Sequence, residues 1–172
     1  MRRPEQYFAG GSHRLAHILR VMKTAQEVEA RRSFGGRLIM AAAYHDIGYA
    51  EALIVTGYHP VDSALLARRD GLDPEITDAV LHHSGAWALA QRSRADVTRH
   101  YGPACRMMHT TLSRALTFCD THSGPRGERF SLAERLGEIR IRHAKNANLL
   151  TALSDSQQDF QSIEAEFLPL LA

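Results

Sequence analysis

The segment Leu38-Ile-Met-Ala-Ala-Ala-Tyr44-His45-Asp46-Ile47-Gly48 decides how this chain folds. Its first seven residues form the longest apolar run, far shorter than the roughly 18 residues that a membrane-spanning helix needs. Residues 37 to about 47 are apolar on nearly every side of a helical wheel, which predicts a buried central helix that ends at Gly48. The helix carries a His-Asp doublet at its carboxyl end, where an unpaired charge would be costly to bury.

Capping signals on both sides of this segment predict further helices. Ser12 begins a helix that runs to about residue 32 and stops before Gly35-Gly36. The same signals predict helices over 60–71, 73–83, 87–94 and 104–122, and after the capping boxes Ser131-x-x-Glu134 and Ser154-x-x-Gln157. No segment alternates with period two. The sequence therefore predicts one all-α domain of six to eight helices over residues 1–172. Its core covers about 12–145, and a C-terminal helix of about 155–169 packs on that core or on a partner.

The composition excludes several classes of protein. The 172 residues carry 21 basic and 19 acidic side chains, a net charge of +2, which argues against a nucleic-acid polymer as partner. Cys105 and Cys119 are the two cysteines, too few for a disulfide scaffold and without metal-site spacing. The amino terminus lacks the apolar stretch of a secretion signal, so the expected location is the cytoplasm, with no membrane partner and with a homodimer as an option.

Histidine is the unusual residue, with ten copies against five tyrosines. A divalent metal would pair the His45-Asp46 doublet, because imidazole nitrogen and carboxylate oxygen are ligands for iron, manganese or zinc. A buried His–Asp hydrogen bond is the alternative for the doublet alone. Further histidines and an aspartate also lie at helix ends or on inward faces: His17, His59, His83 and Asp120. The ordered series predicts that several helices converge on one site.

The ordered series resembles the HD-domain superfamily of metal-dependent phosphohydrolases. The resemblance rests on His17-x-x-Arg20-Val21-x-x-x-Ala25, on the doublet with Ile47-Gly48, on His59-Pro60 and on Asp120. Shorter segments such as Thr56-Gly-x-His59-Pro-x-Asp62 and His82-His-Ser-Gly-Ala86 are similar to a group of small bacterial HD proteins.

The resemblance implies an HD-type helical bundle with one or two divalent ions. His17, His45, Asp46 and Asp120 would bind the first ion, and His59 and His83 would add a second with Asp46 bridging. Iron or manganese is expected, with zinc, magnesium or nickel as alternatives. His82 is a further candidate, as a ligand or proton donor, because some HD phosphodiesterases use both members of a tandem pair. The candidate catalytic residues are therefore Asp46 and His82.

Three functions follow as hypotheses. The first is hydrolysis of a phosphate ester or anhydride, such as a nucleotide, by metal-activated water. The second is a di-iron oxygenase of the HD type, although the phosphonate-cleaving enzymes carry a lysine where this chain has Trp87. The third is a sensor that keeps the metal without catalysis.

Three residues near the series have open roles. Arg14 and Arg20 lie close to His17, where they would contact either a phosphate or solvent. Asp62 would either orient the His59 imidazole or interact with the dipole of its own helix.

Overall fold

The computed structural model describes residues 4–8, 10–102 and 110–171. Nine α-helices lie in this part of the chain: α1 (His13–Glu29), α2 (Arg37–Tyr44), α3 (His59–Arg69), α4 (Pro74–His82), α5 (Ala86–Ser93), α6 (Thr111–Thr121), α7 (Leu132–Arg142), α8 (Ala147–Asp155) and α9 (Gln157–Phe167). Short 3₁₀ turns lie at Pro4–Gln6, Ile47–Tyr49, Glu51–Leu53, His83–Gly85, Ala95–His100 and Leu168–Leu171. The described residues contain no β-strand, and a lone antiparallel bridge joins Ser123 to Arg129. The predicted all-α class is confirmed, with one more α-helix than expected.

Helix α2 is the centre of the bundle. It packs against α1, α4 and α6, and Leu38 together with the Ala41–Ala43 run is fully buried. Three consecutive alanines let the neighbouring helices approach closely, since they present almost no side-chain volume. The helix ends at Tyr44, earlier than the predicted end near residue 47. His45 and Asp46 therefore lie in the turn that follows the helix.

Gly48 has a different role from the helix stop predicted for it. A Cβ atom at this position would lie 2.6 Å from the His59 carbonyl oxygen and 2.7 Å from the Ser63 amide nitrogen. The Gly48 amide also donates to the Ser63 hydroxyl at 2.9 Å. Glycine therefore lets the doublet turn lie directly against the start of α3, which brings His59 next to Asp46.

The carboxyl-terminal part differs most from the prediction. Ser154 lies inside α8 and caps nothing, because α9 begins at Gln157 after Ser156. Helix α8 itself was not predicted, and its cap is Asn146, whose side chain accepts from the Leu149 amide at 3.1 Å. Helix α9 packs on α6, α7 and α8 of its own chain through three buried side chains: Phe160, Ile163 and Phe167.

Two other capping signals agree with the structure, whereas Ser12 precedes α1 without a capping hydrogen bond from its side chain. Asp73 accepts from the Glu75 amide, and Ser131 and Glu134 form a complete capping box. The predicted start of the 104–122 helix and Cys105 lie outside the described residues, while Thr110 caps α6 within them. No helix in the described ranges has both the length and the apolar character needed to cross a bilayer.

Candidate metal centre

Helix α1 points His17 into the bundle, where a loop fixes its ring. The imidazole is buried, and its Nδ1 lies 3.1 Å from the carbonyl oxygen of Gly124 in the loop after α6. A carbonyl oxygen only accepts, so Nδ1 carries the proton and Nε2 presents its lone pair to the interior. The predicted inward position of His17 is correct, and the 123–127 loop orients its ring.

His45 and His83 have the same arrangement. Their Nδ1 atoms lie 2.7 Å from the Ala42 carbonyl oxygen and 2.6 Å from the Val80 carbonyl oxygen, three residues earlier in each case. Each ring therefore donates to the last turn of its own helix, which fixes the tautomer. Their Nε2 atoms face the same interior space as that of His17, because the ring centroids of His45 lie 5.4 Å from His17 and 5.2 Å from His83.

The Asp46 carboxylate lies between two pairs of imidazoles. Its Oδ2 is 3.6 Å from Nε2 of both His17 and His45. Its Oδ1 is 3.2 Å from Nε2 of His59 and 3.9 Å from Nε2 of His83. One carboxylate thus presents one oxygen to each pair, which is the arrangement of a bridging ligand between two ions.

A second carboxylate, that of Asp120 on α6, lies beside His17. Its Oδ1 lies 3.0 Å from His17 Nε2 yet is a buried oxygen without a hydrogen-bond partner. Its Oδ2 accepts a hydrogen bond from the Ser84 hydroxyl. The guanidinium of Arg135 in α7 lies 3.7 Å from Oδ1 and adds a positive charge beside it.

These contacts fit cations better than hydrogen bonds among the side chains. The Nε2 atoms of His17 and His45 lie 3.4 Å apart, and with both Nδ1 atoms protonated neither Nε2 of a neutral ring has a proton to share. Two ligands at about 2.1 Å from one ion in octahedral or tetrahedral geometry are themselves about 3.0–3.4 Å apart. Among the residues that the structure describes, two groups are able to hold an ion: His17–His45–Asp46 and Asp46–His59–His83.

The protonation states suit metal binding. Burial lowers the pKa of His45 to about 4 and that of His59 to about 3, so both rings are neutral at pH 7 and their Nε2 lone pairs are free for an ion. Burial alone would raise the pKa of Asp46, but the Arg14 guanidinium bonded to it holds that pKa well below its usual range. The site therefore combines neutral nitrogen ligands with an ionised oxygen ligand.

Arg14, Tyr49 and His59 form a stack at the mouth of the site. The Arg14 guanidinium lies 3.8 Å above the Tyr49 ring, and that ring stacks on His59 with centroids 4.1 Å apart. The stack holds the His59 imidazole from its exposed side. Asp62 was one expected partner of His59, but its carboxylate instead accepts from Thr56 and from the Gly57 amide and so fixes the turn before α3.

The structure does not bring His82 into the metal cluster. Its Nε2 lies 3.9 Å from Asp78 on its own helix, and its ring packs on Tyr101 with centroids 5.2 Å apart. The ligand or proton-donor role suggested for His82 stays a prediction, whereas the adjacent His83 lies in one of the groups able to hold an ion. Arg20 likewise turns away, with its guanidinium 3.7 Å from Glu27, while Arg14 reaches Asp46.

A cavity of about 320 Å³ opens beside the two groups. Asp46, His59, His83 and Asp120 line its inner end. Side chains of α5, α7, α8 and α9 form much of the remaining wall, so α8, which was not predicted, encloses part of this space. The arrangement is a set of side chains able to hold metal ions, at the base of a small pocket.

Fold and site together define an all-α domain built around paired His/Asp ligands. The family model described as HD domain matches residues 14–136, more than half of the chain. The protein therefore belongs to the HD-domain family, whose members are metal-dependent phosphohydrolases as a superfamily. No curated protein and no solved structure matches the chain.

No pattern in the sequence singled out Ser84, whose hydroxyl the structure places against Asp120. Ser84 is the non-glycine residue with positive φ among the described residues (φ 52°, ψ 38°), and its amide donates to the Thr117 hydroxyl at 3.0 Å. This left-handed turn aims its hydroxyl at Asp120, on the side opposite to His17. A non-glycine residue keeps such a conformation only where its surroundings hold it, here the contacts with Thr117 and Asp120.

Two substitutions distinguish the role of the Ser84 hydroxyl from the effect of its positive φ. Ser84→Ala and Ser84→Gly both remove the donor to Asp120, so we expect each to weaken metal binding about 10- to 100-fold in calorimetric titration. Glycine tolerates positive φ, so the glycine variant should melt about 3 °C above the alanine variant. Wild-type metal affinity in both variants would show that the hydroxyl does not position Asp120.

Proposed function

We propose that the protein is a metal-dependent phosphohydrolase that cleaves a phosphate ester or anhydride by attack of water. The observation that carries the proposal is the placement of Asp46, whose two carboxylate oxygens each face a different pair of imidazoles. We assign His17, His45, Asp46 and Asp120 to one ion and Asp46, His59 and His83 to the other. A pair of bound divalent ions supplies Lewis acidity and a water of lowered pKa.

The residues around the ligands suit an anionic substrate. Arg14 and Arg135 lie on the cavity wall, each within reach of one of the two metal-binding carboxylates. With ions bound, Asp46 and Asp120 become ligands, and the two guanidinium groups are then available to hold phosphoryl oxygens through paired hydrogen bonds. They would orient the substrate phosphorus towards the ligand groups and neutralise charge as it develops.

The chain's own nucleophiles do not suit the reaction, which leaves water as the attacking group. The Ser84 hydroxyl lines the cavity but donates to Asp120. Cys119 is buried away from the cavity, and burial raises the pKa of its thiol. No lysine or cysteine is among the described residues that line the cavity.

The test is metal analysis joined to activity assays on protein purified without chelators. We expect about two divalent ions per chain, and phosphate release from simple phosphate esters that Mn²⁺ or Fe²⁺ restores after chelation. Two irons with oxygen uptake and no phosphate release would overturn the proposal in favour of an HD-type oxygenase. Stoichiometric ions with neither activity would overturn it in favour of a metal-binding sensor.

A further inference from the structure

The cavity has one charged end. Besides Arg14 and Arg135, its wall includes Arg142, whose Nε lies 2.9 Å from Glu138 Oε1. The other oxygen of Glu138 accepts from Arg135 Nη1 at 2.7 Å, so this carboxylate ties the two α7 arginines together. Arg14 bonds to Asp46, and Arg135 lies beside Asp120, so each of these two arginines is next to one of the carboxylates proposed as metal ligands. The inner end of the cavity is thus built for a group of negative charge.

The opposite end of the cavity is apolar. Six aliphatic or aromatic side chains from four helices form it: Leu89, Ile139, Leu149, Ala152, Leu153 and Phe160. Two hydroxyl groups of the cavity wall donate to backbone carbonyls, Ser156 to Ala152 at 2.8 Å and Tyr58 to Ala86. A ligand that carried several hydroxyl or amide groups into this end would find few partners for them, and each group left unpaired costs about 1–3 kcal/mol.

His143 is the titratable side chain at the apolar end. Burial lowers its pKa, and the neighbouring Arg142 lowers it further, while Glu138 acts in the opposite direction. The ring is therefore neutral at pH 7 and adds no charge to this end. One neutral imidazole does not provide the polar contacts that a sugar and a base together require.

The volume adds a limit on size. A cavity of about 320 Å³ lies at the lower end of the range of roughly 300–1,000 Å³ found for small-molecule sites. It accommodates a phosphoryl group with one ring or a short chain. Two nucleotides joined together exceed it.

We infer that the substrate is a phosphate ester of a small apolar alcohol, aliphatic or aromatic, rather than a nucleotide. The inference rests on the proposed function for the reaction, but its choice of organic group rests on the apolar wall alone. The phosphoryl group would lie between the metal ligands and the arginines. The organic group would lie against α7, α8 and α9.

Hydrolysis rates test this inference on the metal-loaded protein. Phenyl phosphate and hexyl phosphate should exceed adenosine monophosphate and ribose 5-phosphate in kcat/KM by about 10²-fold, because burying several CH₂ groups at about 0.8 kcal/mol each favours the apolar esters. Equal or better hydrolysis of the nucleotide would overturn the inference and leave the phosphohydrolase proposal intact. Absence of phosphate release from all four esters and from pyrophosphate would overturn the phosphohydrolase proposal instead.

Binding gives a readout that does not depend on turnover. Phenylphosphonate should bind more tightly than methylphosphonate in calorimetric titration, with a more negative heat-capacity change from apolar burial. Leu149→Asn should remove most of this difference. Leu150→Asn is the matched control, since Leu150 is also a half-buried leucine of α8 but does not line the cavity. Equal affinity for the two phosphonates, or equal effects of the two variants, would contradict the inference.

Discussion

Asp46→Asn should lower the bound metal from about two ions per chain to at most one and reduce phosphate release by about 10³-fold or more. The amide keeps the shape of the carboxylate but lacks its charge. It also offers a single oxygen, whereas the carboxylate presents one oxygen to the ion of each pair of imidazoles. Loss of the bridge removes several kcal/mol of stabilisation of the transition state, and each 1.36 kcal/mol corresponds to tenfold in rate. Metal analysis and a phosphate-release assay measure the two effects.

A second buried carboxylate provides the control. Asp62→Asn also removes a buried charge, but Asp62 bonds to Thr56 and Gly57 and not to the ligands. This variant should lose about 1–3 kcal/mol of stability while it keeps both ions. Full metal content and activity in Asp46→Asn would refute the assignment of Asp46 as a bridge. Equal metal loss in both variants would show that the defect comes from disturbed folding.

His83→Gln and His82→Gln should differ sharply although the two residues are adjacent and equally buried. His83 Nε2 faces Asp46 Oδ1, whereas the His82 ring lies against Tyr101 and Asp78. The His83 variant should lose one ion per chain and at least 10²-fold in activity, because its group of ligands is left with Asp46 and His59. The His82 variant should keep both ions and lose only stability.

Metal content, activity and melting temperature of the two histidine variants form one comparison. A His82 variant with normal metal content but strongly reduced kcat would restore His82 as a proton donor and require a movement of α4. A His83 variant with two ions would remove His83 from the ligand set. The melting temperature separates both outcomes from unfolding, since a destabilised chain loses metal and structure together.

The sequence by itself determined the class of fold and predicted the series of histidines and aspartates that the structure brings together. Capping residues such as Asp73 and Ser131 act within one turn of chain, so their effect is local and could be predicted. The apolar arc of α1 likewise fixed the inward direction of His17. Asn146 is also a capping residue, and it was the local signal that would have revealed α8.

Only the tertiary structure decided which neighbours share the site. His82 keeps near-helical backbone angles (φ −104°, ψ 4°), whereas His83 is extended (φ −64°, ψ 150°). Consecutive side chains near a helix end point about 100° apart, so the two imidazoles lie in different places, and the packing around α4 decides which of them faces Asp46. The bond from Ser84 to Asp120 and the apolar wall from α8 join residues far apart in sequence. Such contacts depend on how the helices pack, because the direction of a side chain at a helix end is set by the surrounding elements and not by residue spacing.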